Sequence, residues 1–194
     1  MAAHYPTGVN MLSPNSTDLL IAPPTIPDPR FRKSVMMLTH DHHGGSFAIC
    51  LNRPTEHSLR DVLEETGIET PMNFPLYWGG PVNVNTVWML HSAEWSTEHT
   101  VEISDAWAMT SNISMFHHLA DGDCPRHFRI MFGHCSWAAG QLRAELRGTP
   151  PWSPRHSWLV AQNPGPEWCF ETPVEDIWTR STELSGQQAV ASWL

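Results

Sequence analysis

The chain has 194 residues, enough for one domain with a substantial core, and its 41% hydrophobic content with ten tryptophans marks it as folded rather than disordered. Its formal charge is −9, from 20 acidic against 11 basic residues, and Lys33 is its one lysine. Duplex DNA binding draws on cations that neutralise phosphates, so direct DNA recognition is disfavoured, and no stretch reaches the ~18–20 apolar residues of a membrane span.

In chain order, residues 1–17 read as a loose polar arm, with neither the basic nor the apolar region of a secretory signal. The single domain is expected over 18–194. Asp18 to Ala22 reads as a short strand, stopped by Pro23 and Pro24. The prolines from 23 to 30 exclude a helix there, because each removes an amide donor and extends its predecessor. Val35 to Thr39 and Ser46 to Leu51 form two apolar runs around H-D-H-H-G-G, which predicts a hairpin with a long loop. Ser58 then caps a helix through Asp61, with Leu59, Val62 and Leu63 on one face and Gly67 as its stop. Thr86 to His91 and Thr100 to Ile103 are strand-like. A helix follows from Ser111 or Asn112 to Ala120, with Ile113, Phe116 and Leu119 inward and Gly122 at its end.

His127 to Phe132 reads as a buried strand. Gly133 is expected to turn the chain directly into a helix from about Trp137 to Arg147. After Pro150, Pro151 and Pro154, Ser157 to Ala161 is a strand, and Asn163 to Pro166 a turn. Thr172-Pro173-Val174-Glu175 carries the signature of a helix start, with Val174, Ile177 and Trp178 on its apolar face. Strands and helices mix without regular βαβ alternation, which predicts an α+β fold.

Four segments could carry chemistry. Gly133-His134-Cys135-Ser136-Trp137 places a thiol where a nucleophile elbow would, but Trp137 stands where the elbow needs glycine. His40, Asp41, His42 and His43 have ligand chemistry without a metal-site spacing, so no metal is expected. Gly79-Gly80-Pro81 lacks phosphate-loop spacing and suits a tight turn or a close backbone approach. Asn52-Arg53-Pro54 could either present an amide and a guanidinium to an anion or tie down its own turn. The cysteines at 50, 124, 135 and 169 show no C-x-x-C, which fits free thiols in a reducing cytoplasm. Twelve histidines could carry the formal charge from −9 to +3 in mild acid.

In order along the chain, Leu19-Leu20-Ile21-Ala22, Asp28-Pro29-Arg30-Phe31, Ser34-Val35, His40 and Asn52-Arg53-Pro54 resemble the AlgH/YqgE family of bacterial proteins. So do Gly79-Gly80-Pro81-Val82, Leu90-His91, Thr110-Ser111, Leu119-Ala120-Asp121-Gly122, and Gly133 with Trp137 and Gly140-Gln141-Leu142. The resemblance spans residues 17 to 184. It implies an α+β domain with a bifurcated, pseudo-barrel mixed β-sheet flanked by helices, and a family labelled putative transcriptional regulators without a DNA-binding motif. The chain departs from it at His134, Cys135 and Ser136, where the family has an aromatic residue, alanine and glycine, and at Ala48, where glycine is common.

These readings lead to a non-enzymatic binding or regulatory protein without a cofactor, whose partner is a small anion or another protein. Its functional surface is expected at Asn52, Arg53, Gly79, Gly80, His91, Trp137 and Gln141. Arg53 would meet the anion, His91 and Gln141 would supply hydrogen bonds, and Trp137 an apolar wall. The alternative is a small thiol-dependent hydrolase or redox enzyme using Cys135 with a histidine. DNA-linked regulation is a third reading.

Overall fold

The computed structural model describes residues 14–42, 44–67, 73–151 and 158–192. The strands are β1 (Leu19–Ile21), β2 (Val35–His42), β3 (Gly45–Cys50), β4 (Pro54–Ser58), β5 (Pro75–Trp78), β6 (Val82–Ser92), β7 (Thr100–Glu102), β8 (Trp107–Thr110), β9 (Phe128–Trp137) and β10 (Leu159–Ala161). The helices are α1 (Leu59–Thr66), α2 (Ser114–Ala120), α3 (Gln141–Arg147), α4 (Pro166–Glu171) and α5 (Ile177–Ala191). All ten strands belong to one curled sheet in the order β10-β1-β2-β3-β9-β6-β8-β7, with β5 also joined to β9 and β4 to β5. Its pairings are antiparallel except β5 with β9.

The branch lies in β9. One edge of this strand follows β6 from Phe128 to His134. The other edge pairs with β5 at Ile130 to Phe132, then with β3 at Cys135 to Trp137. The exchange of neighbours falls at Gly133, whose φ of 63° lies in the left-handed region that glycine tolerates without strain. Here Gly79 donates its N–H to Phe132 and accepts from Cys50, so one residue bridges both arms of the fork. A Cβ on Gly79 would stand 2.4 Å from the Gly133 carbonyl oxygen, and one on Gly80 2.1 Å from the His134 carbonyl carbon. Glycine is required at this crossing because backbone meets backbone.

Alternation along the strands divides the core. Leu19, Ile21, Val35, Met37, Ile49 and Met131 face α4 and α5. On the reverse, Leu20, Met36, Leu38, Ala48 and Val160 pack under Leu142 and Leu146 of α3. Beyond the fork, Leu76, Met89 and Ile130 pack under Leu59 and Leu63 of α1 and Met115, Phe116 and Leu119 of α2.

Helix α1 starts as its sequence predicts: Ser58 and Asp61 form a reciprocal capping box, and Gly67 closes the helix at φ 75°. Elsewhere the structure corrects local expectations. Strand β9 runs straight through Gly133 to Trp137, and the turn comes later, at Gly140 before α3. The local glycine signal was real, since Gly133 has positive φ, but pairing on both edges kept the chain in the sheet. The β2–β3 ladder continues to His42 opposite Gly45, so the expected long hairpin loop is short. Ile113 lies outside α2 and is exposed, and Met115 takes the inward position instead. Thr172 ends α4, its hydroxyl bonded to the Trp168 carbonyl, and α5 begins only at Ile177. Strands β4, β5 and β8 and helix α4 carry no distinct local signature; pairing with neighbours makes them. Of the expected loose arm, residues 1–13 lie outside the described residues, whereas Thr17 donates to Leu38 and Pro14 is buried.

Candidate functional site

The end of β9 and the start of α3 form one wall of a cleft of about 590 Å³. Trp137 lies at the strand end, pinned opposite Ser46 of β3, and Gln141 opens the helix after the Gly140 turn. Phe31 comes from the loop after β1, Trp158 precedes β10, and Pro81 and Val82 follow the glycine fork. Trp137 and Trp158 meet edge to face at 6.0 Å, and Phe31 meets Trp158 at 6.2 Å and Trp78 at 5.7 Å. Such tilted pairs match the positive edge of one ring to the negative face of the next.

Glu145 organises this wall. Its Oε2 accepts from both indoles, at 3.1 Å from Trp137 and 2.9 Å from Trp158, and its Oε1 accepts from Gln141 Nε2 at 2.9 Å. Gln141 in turn accepts from the Ala138 N–H, which fixes the start of the helix. The carboxylate is consumed in holding the rings. Asp28, at the rim, is clamped by Arg30 through Nε and Nη2, which holds its carboxyl below the usual range. The cleft therefore presents ring faces and aliphatic surface rather than unsatisfied charge.

Of the seven residues singled out in the sequence, Trp137 and Gln141 line this cleft, and Gly79 and Gly80 adjoin it as the fork beneath Pro81. Asn52 is buried: its Oδ1 accepts from the Val35 N–H at 2.8 Å and its Nδ2 donates to the Lys33 carbonyl at 2.9 Å. Arg53 donates to the carbonyls of Arg32 and Arg30. The Asn52-Arg53-Pro54 segment thus staples the 30–35 loop, the second of its two readings. His91 is fully buried in the far lobe. Its Nδ1 donates to the Ser92 carbonyl, an obligate acceptor, so a neutral ring has Nε2 free to accept from Thr110 Oγ1, each at 3.0 Å. Burial holds its pKa below the ordinary value.

Cys135 borders the cleft but is 3% exposed, with its thiol directed at the Gly79 carbonyl at 3.5 Å. Burial raises its pKa well above the usual thiol value. His134 points to the other face, stacked on Phe47 at 4.1 Å, so no imidazole activates the sulfur among the described residues. His40 lies on an exposed position of β2, and no metal-ligand cluster is present among the described residues; His43 lies outside them. Sequence reasoning did not reach Phe31, Trp158 or Glu145. Glu145 stands one helical turn after Gln141, a detectable spacing, but nothing local brings Trp158 onto it.

The forked sheet with helices on both faces defines a mixed α+β domain, and comparison with known proteins supports the same class. A solution structure of the AlgH protein from Pseudomonas aeruginosa superposes with a TM-score of 0.74 at 28% identity, covering 96% of this chain and 93% of that one. The profile of AlgH-like proteins matches residues 19–190, and the chain belongs to that family. It is 34% identical over 172 residues to a UPF0301 protein of Novosphingobium aromaticivorans, covering 87% of this chain and 88% of the relative. Identity to a UPF0301 protein of Xanthomonas campestris is 31% over 170 residues, covering 86% of each. No helix among the described residues is long and apolar enough to cross a membrane.

Proposed function

We propose that this AlgH-like chain is a non-enzymatic binding protein with a regulatory role, and that it takes an apolar or aromatic side chain of a protein partner into the β9–α3 cleft. The observation that carries this reading is the Glu145 clamp. Three N–H donors converge on one carboxylate and set two indoles at right angles around an open volume of about 590 Å³. A preorganised aromatic wall costs little entropy on binding, which is how such surfaces gain affinity. The thiol-enzyme alternative draws no support from the described residues, where the sulfur is buried and bonded to the Gly79 carbonyl rather than to a base.

Affinity capture from the native cytoplasm tests it, with the wild-type chain beside Val82→Arg, which sets a charged stem at the cleft wall. A partner held by the wild type and released by the variant is expected, with tryptophan emission shifting when the purified partner is added back. Identical captured proteins for both chains, with unchanged emission, would refute the assignment.

A further inference from the structure

A second cleft, of about 470 Å³, lies between β5, the start of β9 and the end of α4. Its chemistry differs from that of the aromatic cleft because Arg129 lines it. This side chain is 6% exposed, unusual for a permanent cation. Its guanidinium carbon lies 5.0 Å from the ring centroid of Tyr77 and 5.6 Å from that of Phe170, and its Nη1 donates to the Leu51 carbonyl at 2.7 Å.

Among the described residues the site has no counter-charge paired with this cation: no carboxylate forms an ion pair with Arg129. Tyr77 shares a side-chain hydrogen bond with it, and its further electrostatic neighbours are Cys169 and Cys50. Burial pushes the Cys169 thiol up to about 12 and the Cys50 thiol up to about 11, so both are neutral near pH 7. Among the described residues lining the cleft, Glu171 is the one carboxylate; its side chain is 61% exposed and lies 3.8 Å from His127 Nδ1. Arg126, on the rim, adds a second positive charge. A buried cation without a paired carboxylate is costly, and ring faces, one carbonyl and the Tyr77 side chain offset only part of that cost. An incoming oxyanion would supply the missing charge in a geometry the planar fork suits.

The rest of the lining limits the anion. Phe74, Phe128, Pro173 and Val174 offer apolar surface beside the guanidinium. We propose that this cleft binds a small organic acid, its carboxylate on the Arg129 guanidinium and its apolar body against Phe74, Phe128 and Val174. The site is separate from the aromatic cleft and does not depend on the reading given to that cleft.

Titration of the isotope-labelled full chain with phenylacetate, followed by amide and arginine side-chain resonances, tests the proposal. Shifts are expected at Phe128 to Ile130, at Phe170 to Val174 and at the Arg129 Nε–H, with millimolar affinity. Phenylacetamide, which keeps the ring and loses the charge, should bind at least roughly tenfold more weakly. Arg129→Met should abolish the response. Should that variant fold poorly, Arg129→Lys keeps the charge and should still weaken binding roughly tenfold by losing the planar fork. No shifts at these residues, or equal affinity for the amide, would overturn the proposal. Inorganic phosphate binding as tightly as phenylacetate would overturn the role given to the apolar body.

Discussion

Adding one methyl group at Gly133 tests the account of the fork, because the structure separates two penalties there. The first is conformational: at φ 63° an alanine pays roughly 1–2 kcal/mol for left-handed backbone. The second is steric, since the new Cβ would stand 2.4 Å from the Gly80 carbonyl oxygen, 2.9 Å from that of Val82 and 3.3 Å from the Val84 Cα. All three obstacles are backbone, so relief requires moving the arms of the sheet, which adds about 1–3 kcal/mol by analogy with overpacked cores. Gly133→Ala should therefore cost about 2–5 kcal/mol. Gly140, at φ 75° with nothing within 4 Å of its Cβ position, isolates the first penalty, so Gly140→Ala should cost about 1–2 kcal/mol. Gly186, exposed inside α5 with open space around it, carries neither, and Gly186→Ala should stabilise by about 0.5–1 kcal/mol. Equilibrium urea unfolding of the three variants and the wild type reads the ladder directly. Should Gly133→Ala cost no more than Gly140→Ala, the fork is not the tight backbone crossing described above.

Two further outcomes follow from burial. Iodoacetamide on the native chain should modify half-buried Cys124 first and leave Cys50, Cys135 and Cys169 untouched until unfolding, because burial shields those three and raises their thiol pKa values; Cys135 reacting as fast as Cys124 would revive the thiol-enzyme reading. Stability should fall as pH drops below about 6.5, because the unfolded chain then protonates His91 at its ordinary value while the folded ring, held below it by burial despite the Ser92 carbonyl and nearby Glu94, stays neutral. The loss attributable to this ring is at most about 1.4 kcal/mol per pH unit, less where water screens it, and ends below the folded pKa. Unfolding titrations of wild type and His91→Gln across that window should differ in slope, and parallel curves would exclude His91 as the source.

What the sequence by itself determined was local and compositional. Ser58, Asp61 and Gly67 specify both ends of α1 because capping needs only neighbours along the chain. The apolar runs at 19–22 and 35–39 announce buried strands, and the ordered motifs from Asn52-Arg53-Pro54 to Gly140-Gln141-Leu142 led to the family. Tertiary structure alone decided what the glycines and the tryptophan do. Gly133 looked like the start of a turn because positive φ is a local property. It is the branch point of a strand because β6 holds one edge while β5 and β3 share the other, and those neighbours lie far away in sequence. Trp137 reads locally as a helix anchor, yet it is the end of that strand, and Glu145, 8 residues after it, joins it to Trp158, 13 residues further on. Arg129, close to Arg126 in sequence, reads locally as no more than a basic spot; only the fold buries it, with no carboxylate paired to it among the described residues. Caps are written in adjacent residues, whereas clefts and unpaired charges arise where distant segments meet.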